Sequence, residues 1–169
     1  MPLNATQIIT AIGQAKLARA MMDDLSVEVA TVALGDGSGI RYAPSEAQTE
    51  LRNELLRQPI TSQSQLDTQT WRTRVEFGTD IPGFWLREIG FIDASGDLIF
   101  LVAGAEINEG WTGAFDLLFQ HDLNLTGIKD GLVIVNAPDD AYVAFATRSL
   151  HMQATLTLQQ FKLTEAIKA

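Results

Sequence analysis

The sequence contains no cysteine among its 169 residues. This absence excludes disulfide bonds and thiolate chemistry, and it fits folding in a reducing cytoplasm. Histidine is almost as rare: His121 and His151 are the only two, and neither has the spacing of a zinc site. We therefore expect no metal and no cofactor.

Basic residues are also scarce, since 12 Lys and Arg stand against 21 Asp and Glu, for a net charge of −9. Proteins that bind nucleic acid without regard to sequence, or anionic membrane surfaces, need clustered positive charge. No apolar stretch approaches the ~18 residues that span a bilayer, and the N-terminus lacks a signal-peptide pattern. We expect no nucleic-acid or membrane partner.

What is present is an ordinary globular composition, with 46% hydrophobic and 20% charged residues. A chain of this length fits one domain, or one domain with an appendage. We predict a main domain over residues 1–150 and a C-terminal strand or tail over residues 151–169. That tail contains Phe161, Leu163 and Ile167 at its apolar positions, so it is a candidate segment for oligomerisation or docking to another protein.

Apolar periodicity predicts an α+β fold with two N-terminal helices and a β-rich, mainly antiparallel sheet or sandwich. The first helix is predicted over residues 5–22, with Asn4 as its N-cap. The second is predicted to begin at Ser45, where Gln48 completes a capping box, and to end before Pro59. The predicted strands are residues 27–34, 71–77, 85–92, 98–103, 114–119, 132–135, 142–146 and 154–158.

The segment from Trp85 to Asp93 is the most informative, because it is apolar on both faces of a predicted strand yet carries Arg87 and Glu88 in its middle. Adjacent strand residues point to opposite faces, so these two charges cannot pair with each other. Each needs its own partner, and loss of a buried pair member would cost about 3–5 kcal/mol. Trp71 and Trp85 are expected in the core.

Two further places are candidates for structure or interaction. Gly35, Asp36 and Gly37 open a glycine-rich turn that lacks the Lys-Ser/Thr ending of a phosphate loop, so a structural turn is predicted. Trp111 lies between glycines in a loop, where contact with a partner is as plausible as burial, since Trp is enriched at interface hot spots.

Five segments in register resemble the phage tail-collar fibre family. They are Thr-Ala-Ile-Gly-Gln-Ala-Lys-Leu-Ala at residues 10–18, Leu-Gly-Asp-Gly-Ser-Gly at 34–39, Gln-Thr-Glu-Leu-Arg-Asn-Glu at 48–54 with Arg57, Trp-Leu-Arg-Glu-Ile-Gly-Phe-Ile-Asp at 85–93, and Asp-Ala-Ser-Gly-Asp-Leu-Ile at 93–99.

This resemblance implies a non-enzymatic structural protein of the virion, located in the tail. It implies a short tail fibre or fibre-attachment subunit that links the baseplate of a contractile tail to a fibre. The implied partners are a baseplate wedge protein and other fibre chains, in a homotrimer or a heteromeric fibre, with a role in host attachment.

The chain departs from the family pattern after Leu101, where Ala103 to Gly110 replace an expected Tyr-Lys-Pro segment. Two other classes of protein also stay open. A carbohydrate- or receptor-binding module would also be β-rich and acidic, and a polysaccharide hydrolase would need two carboxylates at a suitable separation.

Overall fold

The structure is a computed structural model that describes residues 6–78, 83–104, 111–112 and 117–137. The chain divides into two units, Met1–Ala137 and Pro138–Ala169, and every described residue belongs to the first. The predicted tail over residues 151–169 and the predicted strands 142–146 and 154–158 lie outside this part, so the domain division at residue 150 stays a prediction. No helix in the described ranges could cross a membrane.

Within these ranges the chain forms one α-helix and eleven β-strands. They are β1 (Thr6–Ile9), α1 (Ala11–Met22), β2 (Val27–Gly35), β3 (Glu54–Pro59), β4 (Ser62–Asp67), β5 (Thr70–Phe77), β6 (Phe84–Trp85), β7 (Glu88–Asp93), β8 (Leu98–Ala103), β9 (Trp111–Thr112), β10 (Leu117–Asn124) and β11 (Val133–Val135). A short 3-10 turn covers Gly37–Gly39.

Two sheets carry the architecture. The main sheet has the order β1-β8-β7-β2-β11, and β3 joins the same edge of β2 that β11 occupies. The first residues of β2 pair in parallel with β11, whereas Thr31 to Gly35 pair antiparallel with β3. The second sheet has the order β10-β5-β4, and β6 and β9 form a separate two-residue ladder. All pairings but the one with β11 are antiparallel.

The core has one large cluster and one small one. The large cluster joins both sheets, with Phe91 and Phe100 from the main sheet and Val75, Phe77 and Leu123 from the second. The small cluster consists of Ala33, Leu51, Ile92, Leu98 and Leu101. All residues of β7 and β8 are buried, which confirms that the central apolar segment is covered on both faces.

The helix begins later than the sequence predicts. Residues 6–9 form β1, which pairs with β8, and Thr10 rather than Asn4 caps the helix. The Thr10 hydroxyl accepts a hydrogen bond from the Gly13 N–H at 3.0 Å and donates to the Leu98 carbonyl at 2.5 Å. Residues 6–9 do not form the first turn of the predicted helix, because they pair with the edge of β8 as a strand.

The prediction of a second N-terminal helix, and with it the two-helix α+β fold, is wrong. The capping box exists, since Ser45 N–H donates to Gln48 Oε1 at 3.0 Å and Ala47 N–H donates to Ser45 Oγ at 3.3 Å. Only a turn forms there, and the residues that follow become β3. The edge of β2 offers backbone partners that a helix over these residues would leave unpaired. The fold is mainly β.

Other strand predictions hold. β2, β5 and β8 lie where the pattern places them, and Asp93 to Asp97 form the expected hairpin turn between β7 and β8. The predicted strand over residues 85–92 is broken into β6 and β7, with Leu86 and Arg87 between them. The sequence pattern does not predict β3 or β4, because apolar and polar residues alternate only weakly in both strands.

Gly13 sets the distance between α1 and β8. A Cβ added to it would lie 2.5 Å from the Ile99 carbonyl oxygen. Gly→Ala in a helix interior normally stabilises by about 1 kcal/mol. Here we expect Gly13→Ala to lower the free energy of unfolding by about 1–3 kcal/mol, because the helix must move off the strand. Denaturant titration measures this.

The matched control is Gly78→Ala, since a Cβ there meets no atom within 4 Å. It should change stability by no more than about 0.5 kcal/mol. A Gly13→Ala midpoint at or above that of the parent protein would contradict the close packing of α1 on β8.

The lowered pKa of His121 makes the stability of the fold depend on pH. Its ring lies 5.6 Å from that of Phe91 and is stacked at 6.3 Å on Phe119. Burial lowers the His121 pKa, opposed by the charge of Asp122. The unfolded chain therefore binds the proton more readily, so stability falls as pH drops below about 6.5.

The expected slope is at most about 1.4 kcal/mol per pH unit, from about pH 6.5 down to the lowered pKa of His121 in the folded protein. Unfolding titrations across this range measure it. His121→Gln should flatten the slope. A slope that persists in His121→Gln would contradict the assignment.

Candidate interaction site

β7 begins with a fully buried carboxylate, that of Glu88. Its Oε1 accepts hydrogen bonds from the N–H groups of Gly37 at 3.2 Å and Asn53 at 2.8 Å. Its Oε2 accepts from the Arg52 N–H at 2.9 Å and from the Tyr42 hydroxyl at 2.5 Å. Four donors thus replace the water that the charge loses on burial.

These donors all lie in the segment between β2 and β3. Gly37 belongs to the glycine-rich turn, Tyr42 follows that turn, and Arg52 and Asn53 come just before β3. Leu51 beside them is buried in the small core cluster. Glu88 therefore fastens this long connection, which has little regular structure of its own, onto the main sheet.

Glycine is required at two positions around the carboxylate. A Cβ at Gly35 would lie 2.9 Å from Glu88 Cγ and closer still to Glu88 Oε1 and the Asn53 carbonyl oxygen. At Gly37 the φ angle is +64°, and Ser38 and Gly39 follow at +59° and +78°. Three successive left-handed residues form this turn, and the N–H of the first one, Gly37, donates to the carboxylate.

The N–H groups of this turn already have acceptors within the protein, which favours a structural turn over a phosphate site. Gly37 donates to Glu88, Ser38 donates to Asp36 Oδ1 at 2.9 Å, and Gly39 donates to the Asp36 carbonyl at 3.1 Å. Asp36 Oδ1 also accepts from Asn53 Nδ2 at 2.8 Å. A phosphate would find these donors engaged.

Tyr42 extends the cluster toward the surface. Its ring is buried, and the Arg52 guanidinium lies over it with Cζ 3.7 Å from the ring centroid. Gln48 Nε2 donates to its hydroxyl oxygen at 3.2 Å. Burial raises the pKa of Tyr42, and the hydrogen bond to Glu88 raises it further, so the hydroxyl keeps the proton that it donates.

Arg87 and Glu88 do not pair with each other, as predicted. Arg87 is half-buried, and its Nη1 donates to the Asp36 carbonyl at 3.3 Å. The expectation of a buried ion pair for Glu88 needs correction, because the contacts found to its carboxylate are N–H groups and a hydroxyl rather than a cation. A buried carboxylate can be satisfied by such dipoles alone.

Trp85 lies at the rim of this region and is 44% exposed, so the expectation that it belongs to the core is wrong. Its backbone lies directly opposite Trp111 in the β6–β9 ladder. The sequence gives no sign of this register, since 26 positions separate the two residues and neither strand is long enough to show alternation. The Trp111 side chain, and Phe161, Leu163 and Ile167, lie outside the described residues.

The carboxylates of the acidic turn between β7 and β8 form ion pairs with a lysine of α1. Lys16 Nζ contacts the buried Asp93 carboxylate and lies 2.5 Å from Asp97 Oδ2. Burial acts to lower the Lys16 pKa, but hydrogen bonds to Asp93 and Asp97 outweigh it, so the pKa is raised. No cluster of three metal-ligating side chains occurs in the ranges that the structure describes.

The structure thus brings together Gly35, Asp36, Gly37, Arg87 and Glu88, with Trp85 beside them. Sequence reasoning missed Tyr42, Arg52 and Asn53. One signal could have found the last two: they lie in the segment at 48–54, one of the five that carry the family resemblance. The chemistry of this cluster is to hold chain segments together, because every Glu88 oxygen is already engaged.

Comparison with known proteins shows the class to which this architecture belongs. Residues 1–108 match the family described as phage tail-collar fibre protein, N-terminal, and the chain is a member of it. The resemblance drawn from the five segments is therefore confirmed. Membership indicates a structural protein of the phage tail.

One relative is the "Probable tail fiber protein" of Escherichia phage P2, 33% identical over 109 residues. The alignment covers 63% of this chain but 16% of that protein, so the chain spans a small part of its relative's length. No solved structure matches this chain.

Glu88→Gln tests whether the carboxylate acts through its four donors. An amide has one acceptor oxygen, and its NH2 would face at least one buried N–H, of Gly37 and Asn53 or of Arg52. We expect a loss of about 1–3 kcal/mol in unfolding free energy for each donor left unpaired. Tyr42→Phe removes one donor and should cost about 1.5–3 kcal/mol. Chemical denaturation measures both.

The control is Glu54→Gln, since Glu54 forms an exposed pair with Arg57 at 2.7 Å that should contribute about 0–1 kcal/mol. Arg87→Ala should cost less than Glu88→Ala, because Arg87 is only half-buried. Equal effects of the Glu54 and Glu88 variants would contradict a central role for the buried carboxylate.

Proposed function

We propose that this chain is a short tail-fibre or fibre-attachment subunit that links the baseplate of a contractile tail to a fibre. The observation that carries the proposal is the family match over residues 1–108. All four residues that donate to Glu88 lie within this range, so the matched region includes the contacts that fix its longest connection. An attachment domain needs such a pre-organised surface, because ordering loops on binding weakens affinity.

Trp85 and Arg87 give this surface a candidate contact point. Trp85 is 44% exposed, and Arg87, two positions later, donates to the Asp36 carbonyl of the Glu88 cluster. Trp and Arg are the residue types most enriched at interface hot spots. We propose that they face a baseplate wedge protein.

The proposed assembly is a homotrimer, or a trimer with another fibre chain, placed in the virion tail after synthesis in the host cytoplasm. Residues 151–169, with Phe161, Leu163 and Ile167, are proposed to contribute to association or to fibre docking. Equivalent apolar surfaces around one axis would bury each other. We propose that the chain acts without catalysis, metal or cofactor, in the attachment of the particle to its host.

A carbohydrate- or receptor-binding module is the second candidate. One observation favours it: the exposed Trp85 lies opposite Trp111 in register, which gathers two aromatic residues at one ladder. Nothing found in the described residues favours the hydrolase alternative.

The test uses tail particles from a phage lacking this gene, mixed with purified chain carrying an electron-dense label. We expect label at the baseplate end of the tail. Trp85→Ala should weaken binding at least tenfold, as loss of a hot spot does. Leu66→Ala, which alters an exposed apolar residue on the second sheet, should bind like the parent chain.

Label absent from the tails, or spread along them, would overturn the baseplate proposal. Binding to host surface glycans that Trp85→Ala abolishes, with no binding to tails, would instead establish the second candidate.

A further inference from the structure

Two arginines at the glycine-rich turn lack the carboxylate partners that other arginines of this chain have. Arg19, Arg57 and Arg72 each form an ion pair with an aspartate or a glutamate. Within the described part of the chain, no carboxylate forms an ion pair with Arg52 or Arg87. Acidic residues are in excess, at 21 against 12 basic ones, so carboxylates are not scarce. Both guanidinium groups therefore keep donors for an acceptor from outside.

The Arg52 guanidinium is held against an aromatic ring. Its Cζ lies 3.7 Å from the centroid of the Tyr42 ring, and the Arg52 backbone N–H donates to Glu88 Oε2 at 2.9 Å. At this distance a guanidinium contacts the ring through its face, so the N–H groups in its plane stay available to an acceptor. An arginine that is already held in this way loses less conformational entropy when it binds an anion.

Arg87 is fixed at the same turn. Its backbone N–H donates to the Gly35 carbonyl at 3.0 Å, and its Nη1 donates to the Asp36 carbonyl at 3.3 Å. A Cβ placed on Gly37 would lie 3.4 Å from the Tyr42 ring and 3.5 Å from Arg87 Cβ, so the ring that carries the first arginine and the side chain of the second both border this glycine. The two arginines therefore flank one turn whose backbone is fixed.

Carboxylates also lie near this turn, so the surface has little net positive charge. Those of Asp36 and Glu88 already accept hydrogen bonds from the connection between β2 and β3. Glu46 and Glu50 are exposed on this connection, as is Arg41, and neither glutamate pairs with the two arginines. Affinity for an anion must then come from aimed donors rather than from surplus charge. Nucleic acid and anionic membranes need clustered positive charge, so they do not fit this surface.

Exposed apolar side chains lie next to the arginines along the chain. Ile40 directly follows the turn and is 59% exposed, and Trp85 lies two positions before Arg87 and is 44% exposed. A ligand that covers these side chains must present apolar groups together with its anionic ones. A segment of protein does this, whereas inorganic phosphate does not.

We propose that Arg52 and Arg87 bind the carboxylates of an acidic segment of a partner protein, in which Asp or Glu alternates with apolar residues. This inference rests on the attachment function proposed above and names the chemistry of the partner surface. A guanidinium matches a carboxylate with two parallel hydrogen bonds, which gives direction as well as affinity. The net charge of −9 does not prevent the contact, because repulsion between exposed charges is screened beyond about 8 Å at physiological salt.

The test measures fluorescence polarisation of a labelled peptide, Glu-Leu-Glu-Phe-Glu-Leu-Glu, with the full chain. A second peptide has Gln in place of every Glu, and we expect it to bind about tenfold more weakly or less, since a hydrogen bond to a charged group contributes that much. Arg52→Gln and Arg87→Gln should each weaken binding of the acidic peptide by about tenfold for the same reason. Arg52→Lys keeps the charge but loses the planar fork, so it should also bind more weakly than the parent chain.

The matched control is Arg57→Gln, because Arg57 is also exposed but already pairs with Glu54. It should leave peptide binding unchanged. The variants keep the fold, since Arg52→Gln retains the backbone N–H that donates to Glu88, and Arg87→Gln loses one hydrogen bond of 3.3 Å. Circular dichroism and the denaturation midpoint of each variant check this.

The outcomes separate this inference from the attachment function. No binding of the acidic peptide, equal binding of the two peptides, or an equal effect of Arg57→Gln would overturn the carboxylate site. If Arg52→Gln then still binds tails like the parent chain, attachment stands without it. Peptide binding that depends on both arginines, in a chain that does not bind tails, would support the site and overturn the baseplate attachment.

Discussion

The burial of one negative charge is the constraint on which the rest of this structure depends. An ionised carboxylate in the core is tolerated only if donors surround it. Glu88 meets this requirement with three backbone N–H groups and one phenol, and all four belong to the connection between β2 and β3. The demand of a single side chain therefore fixes the path of a segment that has little secondary structure of its own.

That constraint also explains features of the sequence that composition alone leaves unexplained. Gly35 must lack a side chain because Glu88 occupies the space, and Gly37, whose N–H donates to the carboxylate, has a positive φ that glycine adopts without strain. Tyr42 brings an aromatic ring that shields the carboxylate and receives the Arg52 guanidinium on its outer face. The family resemblance rests partly on these residues, since the segments at 34–39, 48–54 and 85–93 meet around Glu88.

The sequence predicts those elements correctly whose pattern of apolar residues is clear within a few neighbouring positions. β5 and β8 were found because alternation or continuous apolarity is read directly along the chain. The sequence wrongly predicts a second helix because Ser45 and Gln48 do form the local hydrogen bonds of a helix start. What overrode them is the unpaired edge of β2, a tertiary demand invisible to a window of neighbours. The exposure of Trp85 and its register with Trp111 were hidden for the same reason.

The position of β11 beside β2 affects the order in which the strands of this protein can pair during folding. β2 is among the first strands made, yet part of its edge is closed only by β11, and β5 likewise waits for β10. The family match ends at residue 108, before either late strand begins. Pairings between such distant segments form slowly, and edges left open in the meantime invite association between chains. A fragment cut at the limit of sequence similarity would thus leave open edges in both sheets, and the unit that folds extends beyond the unit that is recognised.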